Sequence, residues 1–273
     1  MRPPSALYGI IGHPLGHTLS PLLHTWAFEA AEHAGAYLAW PIAPDRLADF
    51  MLALRTLPIA GVSVTIPHKE RVMALIDEAS PRAARIKAVN TLFWREGKVC
   101  GENTDIIGFL EPLRGRSFRS ALVLGAGGAA RAVLAGLQER GLDSVSVSNR
   151  NEDRARVLAA EFNLTAVPWE ERHRADAELL VNATSLGLAG AAQSETPWDA
   201  SAFRRGQTAY DLIYNPLHTR FLTEAKAAGC PIIDGVSMFA AQGAEQCRLW
   251  TGKAFDLSAA RERLLSWLAN PGR

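Results

Sequence analysis

The fold of this chain is decided by Ala121-Leu122-Val123-Leu124-Gly125-Ala126-Gly127-Gly128-Ala129-Ala130. Its first four residues are apolar and predict a buried strand, and the alanines and leucines that continue to Leu137 predict a helix. The glycines between them fit the pattern G-x-G-x-x-A, which is informative only when a strand precedes it and a helix follows. Both conditions hold here. The stretch therefore predicts one strand–loop–helix unit of an α/β fold.

Apolar strands alternate with helical patterns on both sides of this stretch. Upstream, the predicted strands are 7–11, 38–40 and 61–66, with a hairpin from 89–94 and 98–100. The predicted upstream helices are 20–30, capped by Ser20, then 47–54 and one that opens at Pro67. Downstream, strands at 145–148, 179–181, 209–212 and 232–233 alternate with helices at 154–162, 221–228 and 257–268. Such alternation predicts a parallel sheet with right-handed crossovers, so the fold class is α/β.

The composition is that of an ordinary globular protein with two domains. Of 273 residues, 48% are hydrophobic and 21% are charged, which excludes a disordered chain. The formal net charge of +1 argues against nucleic-acid or membrane-surface binding, and no apolar run is long enough to span a bilayer. The N-terminal residues lack a hydrophobic signal core, and three isolated cysteines favour a reducing compartment. We therefore expect a soluble cytoplasmic protein whose partners are small molecules.

The glycine loop has the chemistry of a diphosphate site. Without Cβ atoms, its backbone N–H groups and the N-terminus of the next helix can approach a pyrophosphate closely. A tight turn that binds no ligand is the alternative.

The residues after the next strand favour NADP(H) over NAD. That strand is followed by Asn149 and Arg150, with Arg154 one helical turn later. Guanidinium groups bind a 2′-phosphate, whereas the carboxylate of a typical NAD site would repel it. Glu152 and Asp153 weaken the prediction because either could turn inward, and a solvated helix start is the alternative for both arginines.

Polar side chains end several elements in the first half of the chain, in segments 12–20, 63–69, 88–91 and 102–105. Ligands of parallel α/β sheets bind beyond the carboxyl ends of strands, and these groups would suit a small polyhydroxylated acid. Lys69 and Asp105 supply a charged pair, which favours general acid–base chemistry by a lysine that a carboxylate orients. Taken singly, Ser20 could cap a helix, Asn90 could satisfy a turn, Thr65 could fill a strand and Lys69 could be solvated.

The histidines do not predict a metal site. His13, His17 and His68 lack the paired spacing and helical placement that metal ligands have. We expect no bound metal.

Together these motifs resemble the shikimate dehydrogenase family. The resemblance extends over nearly the whole chain and rests on segments 19–21, 64–69, 88–91, 103–105, 125–130, 149–150, 182–185, 210–214 and 234–242. It implies the reversible NADP(H)-dependent reduction of 3-dehydroshikimate to shikimate, a step of aromatic amino-acid biosynthesis.

The resemblance also implies roles for single residues. Lys69 matches the catalytic lysine, and Asp105 matches the aspartate paired with it. The positions that match the binding site for the substrate's carboxylate and ring hydroxyls are Thr18, Ser20, Thr65, Asn90, Tyr214 and Gln242. The positions that match the cofactor site are Gly125, Ala126, Gly127, Gly128, Ala129, Asn149, Arg150, Arg154, Thr184, Gly235 and Met238.

The resemblance implies two domains. Residues 1–104 would bind substrate and carry the catalytic lysine, and residues 105–237 would form a Rossmann-type, doubly wound NADP-binding domain. The helices in 238–273 would return to pack on the first domain and leave a cleft between two α/β lobes. The assembly would be a monomer or a homodimer.

The chain departs from the family pattern at several positions. Thr18 replaces a serine, Ser63 an asparagine, Ile106 and Ser237 each a glycine, and Asn151 a threonine. These departures leave open a relative that prefers quinate or an aminated shikimate, or that accepts NAD. A non-catalytic sensor of a dinucleotide or a cyclic acid is the alternative from another class, and the intact Lys69 and Asp105 argue against it.

Overall fold

The computed structural model describes residues 4–16 and 18–270, which group into two compact units. Unit 1 takes Met1–Asp105 and Ala240–Leu264, and unit 2 takes Ile106–Phe239 and Leu265–Arg273. The described part of each unit contains one six-stranded sheet. The predicted α/β class is confirmed. The binding roles of the predicted domains stay a prediction.

The sheet of unit 1 is mixed, because a hairpin is inserted into it. Its strands are β1 (Ala6–Gly12), β2 (Gly35–Pro41), β3 (Ile59–Val64), β4 (Glu78–Ala79), β5 (Thr91–Arg95) and β6 (Lys98–Glu102), in the order β2-β1-β3-β5-β6-β4. β1 pairs in parallel with β2 and β3, whereas β5 is antiparallel to β3 and β6. The end of β3, the start of β5 and the end of β6 therefore meet at one edge of the sheet.

The sheet of unit 2 is parallel throughout. Its strands are β7 (Ser120–Leu124), β8 (Ser144–Ser148), β9 (Thr165–Ala166), β10 (Leu179–Asn182), β11 (Thr208–Asp211) and β12 (Ile232–Ile233). Their order is β12-β11-β10-β7-β8-β9, so the chain winds outward in both directions from β7. This is the doubly wound Rossmann-type arrangement that the family resemblance implies for this part of the chain.

Helices connect most of these strands. Those in the described residues are α1 (Ser20–Ala30), α2 (Leu47–Thr56), α3 (Pro81–Ile86), α4 (Asp105–Leu110), α5 (Gly128–Glu139), α6 (Glu152–Phe162), α7 (Arg220–Ala227), α8 (Gly235–Thr251) and α9 (Leu257–Ala269). In unit 1, buried Leu54 of α2 packs with Val62 and Leu92 of the sheet. In unit 2, Phe221 of α7 packs with Leu122 and Leu180. None of the helices in the described ranges is long and apolar enough to cross a membrane.

The prediction that Ser20 caps α1 is wrong. Ser20 is the first residue of the helix and Leu19 holds the N-cap position. The N–H of Ser20 donates to Thr18 Oγ1 at 3.2 Å. The hydroxyl that satisfies this end of α1 therefore comes from Thr18.

The prediction that Pro67 opens a helix is also wrong. β3 ends at Val64, a turn follows, and a 3-10 helix forms only at Arg71–Leu75. His68 holds the turn, since its backbone N–H donates to Thr65 O at 2.9 Å and its Nε2 bonds to Ile42 O at 2.7 Å. The bond to Ile42, 26 residues away in sequence, overrides the helix-start signal of the proline.

Candidate active site

Lys69 and Asp105 form an ion pair in unit 1. Lys69 lies in the turn after β3, and Asp105 begins α4 directly after β6. Lys69 Nζ is 2.5 Å from Asp105 Oδ2, and the two side chains are 13% and 8% exposed. The ammonium is thus held by a nearly buried carboxylate while its side chain keeps some access to solvent. Such a pair can give a proton to, or take one from, a ligand oxygen.

The second oxygen of Asp105 is also bound. Asn90 Nδ2 donates to Asp105 Oδ1 at 2.8 Å, and the backbone N–H of Asp105 donates to Asn103 Oδ1 at 3.1 Å. Asn103 is itself anchored, because its Nδ2 donates to Ala88 O at 3.0 Å. The carboxylate is therefore fixed in position independently of any ligand.

The side-chain amide of Asn90 makes its hydrogen bonds within the protein. Its Nδ2 donates to Asp105 and to Thr104 Oγ1 at 3.0 Å, and its Oδ1 accepts from the N–H of Thr104 at 2.8 Å and from Thr91 Oγ1 at 2.7 Å. The matched substrate role of Asn90 stays a prediction. No role was predicted for Thr91, Thr104 or Asn103, although Thr91 adjoins Asn90, Thr104 adjoins Asp105, and Asn103 lies two residues before Asp105.

The other predicted substrate residues of unit 1 lie on separate elements. Thr18 Oγ1 is 3.1 Å from Ser20 Oγ, at the start of α1. Thr65 is half-buried just beyond β3, and Gln242 is half-buried on α8. Among the described residues, no hydrogen bond joins the Thr18–Ser20 pair to the ion pair of Lys69. Their matched roles are not tested by these contacts.

Among the described residues, the histidines of the first half of the chain do not belong to a metal-binding cluster. His68 is buried and bonded to a backbone carbonyl, as described above. His17 lies outside the described residues. Within residues 4–16 and 18–270, no group of three or more His, Cys, Asp or Glu side chains is arranged to hold a metal ion.

The glycine loop of unit 2 has the backbone that its sequence predicts. Gly125 has φ +116°, and a Cβ there would lie 2.8 Å from Ala183 O. Its N–H donates to Ser148 O at 2.8 Å, so the loop crosses close to the ends of β8 and β10. Only glycine fits this position without strain.

The N-terminus of α5 is suited to a diphosphate. The helix begins at Gly128 with Gly127 as an extended N-cap, and no side chain in the described residues caps it. A Cβ on Gly127 would meet nothing within 4 Å, so space is open above the first turn. Free backbone N–H groups facing open space are what a phosphate group needs. Ala126 and Ala129 are half-buried in the same turn.

The start of α6 carries two unpaired arginines. Arg156 binds both acidic residues of this turn, Glu152 at 2.7 Å and Asp153 at 2.8 Å. Arg150 and Arg154 are exposed and form no ion pair with a described residue. Because Arg156 holds both Glu152 and Asp153, these carboxylates no longer weaken the prediction that a 2′-phosphate binds here.

Two asparagines shape the loop that carries these arginines. Asn149 Nδ2 donates to Asn151 O at 2.8 Å, and Asn151 Oδ1 accepts from the N–H of Arg154 at 3.1 Å. Asn151, which replaces the family's threonine, thus still caps α6.

Thr184 is half-buried and is held by hydrogen bonds to the buried side chain of Asn182. Its Oγ1 donates to Asn182 Oδ1 at 2.7 Å, and Asn182 Nδ2 donates to Asp211 Oδ1 at 3.1 Å. Desolvation raises the pKa of Asp211 to about 7. Hydrogen bonds from Thr219, from the N–H of Ile213 and from Asn182 lower this pKa, but their effect is smaller than that of burial. Asp211 and Asn182, which lie in segments 210–214 and 182–185 but had no predicted role, therefore anchor the loop of Thr184.

The remaining predicted residues of unit 2 lie at the start of α8 and near it. A Cβ on Gly235 would lie 2.6 Å from the carbonyl oxygens of Leu212 and Ile213, so the helix start requires glycine. Met238 is buried one turn later. The ring of Tyr214 stacks on Phe239, with centroids 4.1 Å apart.

Three family models match the chain. The shikimate dehydrogenase substrate binding domain matches residues 10–92, shikimate / quinate 5-dehydrogenase matches residues 113–189, and the shikimate 5′-dehydrogenase C-terminal domain matches residues 235–265. The chain is 54% identical over 273 residues to the shikimate dehydrogenase (NADP(+)) of Oleidesulfovibrio alaskensis, covering 98% of this chain and 98% of that protein.

Solved structures agree with these matches. Shikimate 5-dehydrogenase from Thermus thermophilus, in complex with NADP(H) and shikimate, has a TM-score of 0.87 and 44% identity, covering 96% of this chain and 99% of that chain. Quinate dehydrogenase from Corynebacterium glutamicum, in complex with NAD, has a TM-score of 0.87 and 31% identity, covering 96% and 99%. On sequence and structure alike, this chain belongs to the shikimate dehydrogenase family.

Proposed function

We propose that the chain catalyses the reversible NADP(H)-dependent reduction of 3-dehydroshikimate to shikimate, within aromatic amino-acid biosynthesis. The observation that best supports this is the ion pair in this chain: Lys69 Nζ lies 2.5 Å from Asp105 Oδ2, and the lysine side chain is partly exposed. The activity is also that of its 54% identical relative. It makes the chain an oxidoreductase that acts on a CH–OH group.

In this proposal Lys69 is the general acid. When bound, NADPH supplies a hydride to the ring ketone. The Lys69 ammonium gives a proton to the oxygen that becomes the C–OH group, and in the reverse direction the neutral amine takes that proton back. Asp105 holds the ammonium in line through the 2.5 Å contact of its Oδ2.

Arg150 and Arg154 support NADP as the cofactor, because neither forms an ion pair with a described residue of the protein. Arg150 and Arg154 would hold the 2′-phosphate with charge-assisted hydrogen bonds, and Asn149 would orient the loop. Backbone N–H groups from Ala126 to Ala129 would hold the diphosphate. Gly125, whose own N–H donates to Ser148 O, would let the loop approach it closely. Thr184, Gly235 and Met238 are proposed to border the cofactor by the family match alone.

The substrate contacts are proposed on the same basis. Hydroxyl and amide groups suit the carboxylate and ring hydroxyls of shikimate, because each can donate and most can accept. The residues proposed for this are Thr18, Ser20, Thr65, Asn90, Tyr214 and Gln242. Asn90 would also serve through its hold on Asp105.

A quinate dehydrogenase that uses NAD is the second candidate, because a quinate dehydrogenase bound to NAD shares this fold at 31% identity. A two-by-two assay of shikimate and quinate with NADP+ and NAD+ separates the two. We expect the highest kcat/KM for shikimate with NADP+. A preference for quinate with NAD+ would favour the second candidate, and no turnover with any pair would favour a sensor.

We also propose that the enzyme works in the cytoplasm as a monomer or a homodimer. All three cysteines are free and buried, as suits a reducing compartment. Sedimentation equilibrium across a concentration series decides between the two assembly states.

A further inference from the structure

The side-chain amide of Gln246 on α8 lies buried in unit 1 and has every hydrogen-bonding position filled. Gln246 is 2% exposed. Its Oε1 accepts from Ser63 Oγ at 2.8 Å and from His24 Nε2 at 3.2 Å. Its Nε2 donates to Asn90 O at 3.1 Å and to Thr91 Oγ1 at 3.0 Å. Two donor hydrogens and two acceptor lone pairs are all that an amide offers.

The neighbours of Gln246 allow this amide only one orientation. The carbonyl oxygen of Asn90 can only accept, so the amide nitrogen must face it. Tyr37 donates its hydroxyl proton to Ser63 Oγ at 2.6 Å, which leaves the proton of Ser63 for Gln246 Oε1. Burial lowers the pKa of His24 to about 3, so the neutral ring carries its proton on Nε2 and donates as well.

Thr91 transmits this orientation to Asn90. Its Oγ1 accepts from Gln246 and therefore turns its own proton to Asn90 Oδ1, 2.7 Å away. The N–H of Thr104 donates to the same oxygen at 2.8 Å. With its oxygen held twice, Asn90 must present Nδ2 to Asp105 Oδ1 at 2.8 Å. Gln246, Thr91 and Asn90 are each at most 2% exposed, so bulk water does not compete for the bonds among them.

We propose that Gln246 is a positioning residue for the reaction. Through Thr91 and Asn90 it orients the carboxylate of Asp105, and Asp105 in turn holds the ammonium of Lys69. This inference rests on the proposed function, in which that ammonium transfers the proton. Without the amide, Thr91 is free to turn its proton elsewhere, Asn90 loses a donor to Oδ1, and the carboxylate is held less firmly. A misaligned ammonium slows the chemical step more than it weakens substrate binding.

Gln246→Met tests this because it removes the amide at nearly constant volume. We expect kcat for shikimate oxidation to fall about tenfold while KM for shikimate and for NADP+ stays within about twofold. Cys247→Ala is the matched control, since Cys247 is the next residue, is buried, and has no bond to this network. It should lower the melting temperature but leave kcat unchanged.

A pair of substitutions at Thr91 separates hydrogen bonding from packing. Thr91→Val keeps the shape without the hydroxyl and should reproduce the loss in kcat, whereas Thr91→Ser keeps the hydroxyl and should retain most activity. Because both act on one chain of bonds, the double variant Gln246→Met/Thr91→Val should be no slower than the slower single variant. The Thr91 pair also decides the matter if Gln246→Met does not fold.

Three results would overturn the inference. Wild-type kcat in Gln246→Met or in Thr91→Val is one, and equal impairment of Thr91→Ser and Thr91→Val is the second. Losses that multiply fully in the double variant are the third. If the wild-type chain oxidises shikimate with NADP+ and one of these three results is obtained, only the role of Gln246 is rejected and the proposed function stands. If the wild-type chain does not oxidise shikimate with NADP+, the proposed function itself is overturned.

Discussion

Among single residues, Lys69 has the contacts that matter most for the proposed chemistry. Its ammonium is held 2.5 Å from one oxygen of Asp105, and the other oxygen of that carboxylate is held by Asn90. A lysine side chain ordinarily samples many rotamers, so a fixed carboxylate reduces the cost of aligning it with a reacting oxygen.

Removal of the ammonium tests this assignment. We expect Lys69→Met to lower kcat for shikimate oxidation by about 10²- to 10⁴-fold, the range of general acid–base catalysis, with little change in KM. Steady-state kinetics with NADP+ measure both constants. Lys98→Met is the control, because Lys98 is an exposed lysine of the same unit, paired with Glu78. Near-normal turnover of Lys69→Met would show that another group transfers the proton.

Arg150 and Arg154 allow a test of cofactor choice. In the double variant Arg150→Ala/Arg154→Ala we expect KM for NADP+ to rise about 10- to 100-fold and KM for NAD+ to stay nearly unchanged, because only NADP+ carries the phosphate that these charges would bind. The ratio of the two KM values is the measurement. Arg119→Ala is the control, since Arg119 is exposed just before β7, at the opposite end of the strand from the glycine loop. Equal increases for both cofactors would contradict a phosphate clamp.

At the scale of elements, the passage from β7 through the glycine loop to α5 uses two glycines for different reasons. Gly125 has a positive φ and lies against the backbone at Ala183, whereas Gly127 has φ −103° and faces open space. The first glycine is required by the fold, and the second leaves room for a ligand.

The two glycines should therefore respond differently to the same substitution. We expect Gly125→Ala to destabilise unit 2 by about 1–3 kcal/mol, because the new Cβ meets a carbonyl oxygen in a strained conformation. Gly127→Ala should leave the melting temperature nearly unchanged and weaken NADP+ binding, because its Cβ fills the space above the helix N-terminus. Thermal unfolding and calorimetric titration with NADP+ measure the two effects. A stable Gly125→Ala, or a Gly127→Ala that binds NADP+ normally, would contradict this division.

At the scale of the whole molecule, the two units contain buried groups with opposite pH dependence. In unit 1, burial lowers the pKa of His24 to about 3, so the folded state excludes a proton that the unfolded chain binds below about 6.5. The stability from His24 is present above pH 6.5 and is lost as the pH falls toward 3. In unit 2, the pKa of Asp211 is raised from 3.8 to about 7, so its contribution is present below pH 3.8 and is lost as the pH rises through 7.

Acidification should therefore change the unfolding free energies of the two units in opposite directions. Between pH 6.5 and 5 we expect His24 to cost unit 1 about 2 kcal/mol of unfolding free energy, and Asp211 to stabilise unit 2 by about the same amount. Hydrogen exchange with mass spectrometry, corrected for the intrinsic exchange rate at each pH, resolves the units separately. His24→Phe should flatten the response of unit 1 alone, and Asp211→Asn that of unit 2 alone. A parallel response of both units that neither substitution alters would contradict these assignments.

Most elements of this molecule could be predicted from the sequence because their signals are local. The strand at β7, the glycine loop and α5 occupy consecutive residues, and the hairpin of β5 and β6 needs only a short turn. The failure at Pro67 has the opposite cause, because His68 bonds to Ile42, 26 residues earlier, and this contact holds a turn where the proline predicts a helix. The failure at Ser20 is local: the hydroxyl that accepts from the start of α1 is that of Thr18, two residues earlier.

The order of residues was enough to predict the α/β class, the family, and the residue types of the ammonium, the carboxylate and the glycine loop. These are read from short motifs and from the order in which they follow one another. Three contacts could be known only from the folded chain: Asn90 holds Asp105, Arg156 binds the acidic residues beside Arg154, and Gln246 bonds to Ser63 across 183 residues of chain. Hydrogen bonds between distant residues depend on where the folded backbone places each donor and acceptor, and no spacing in the sequence encodes that distance.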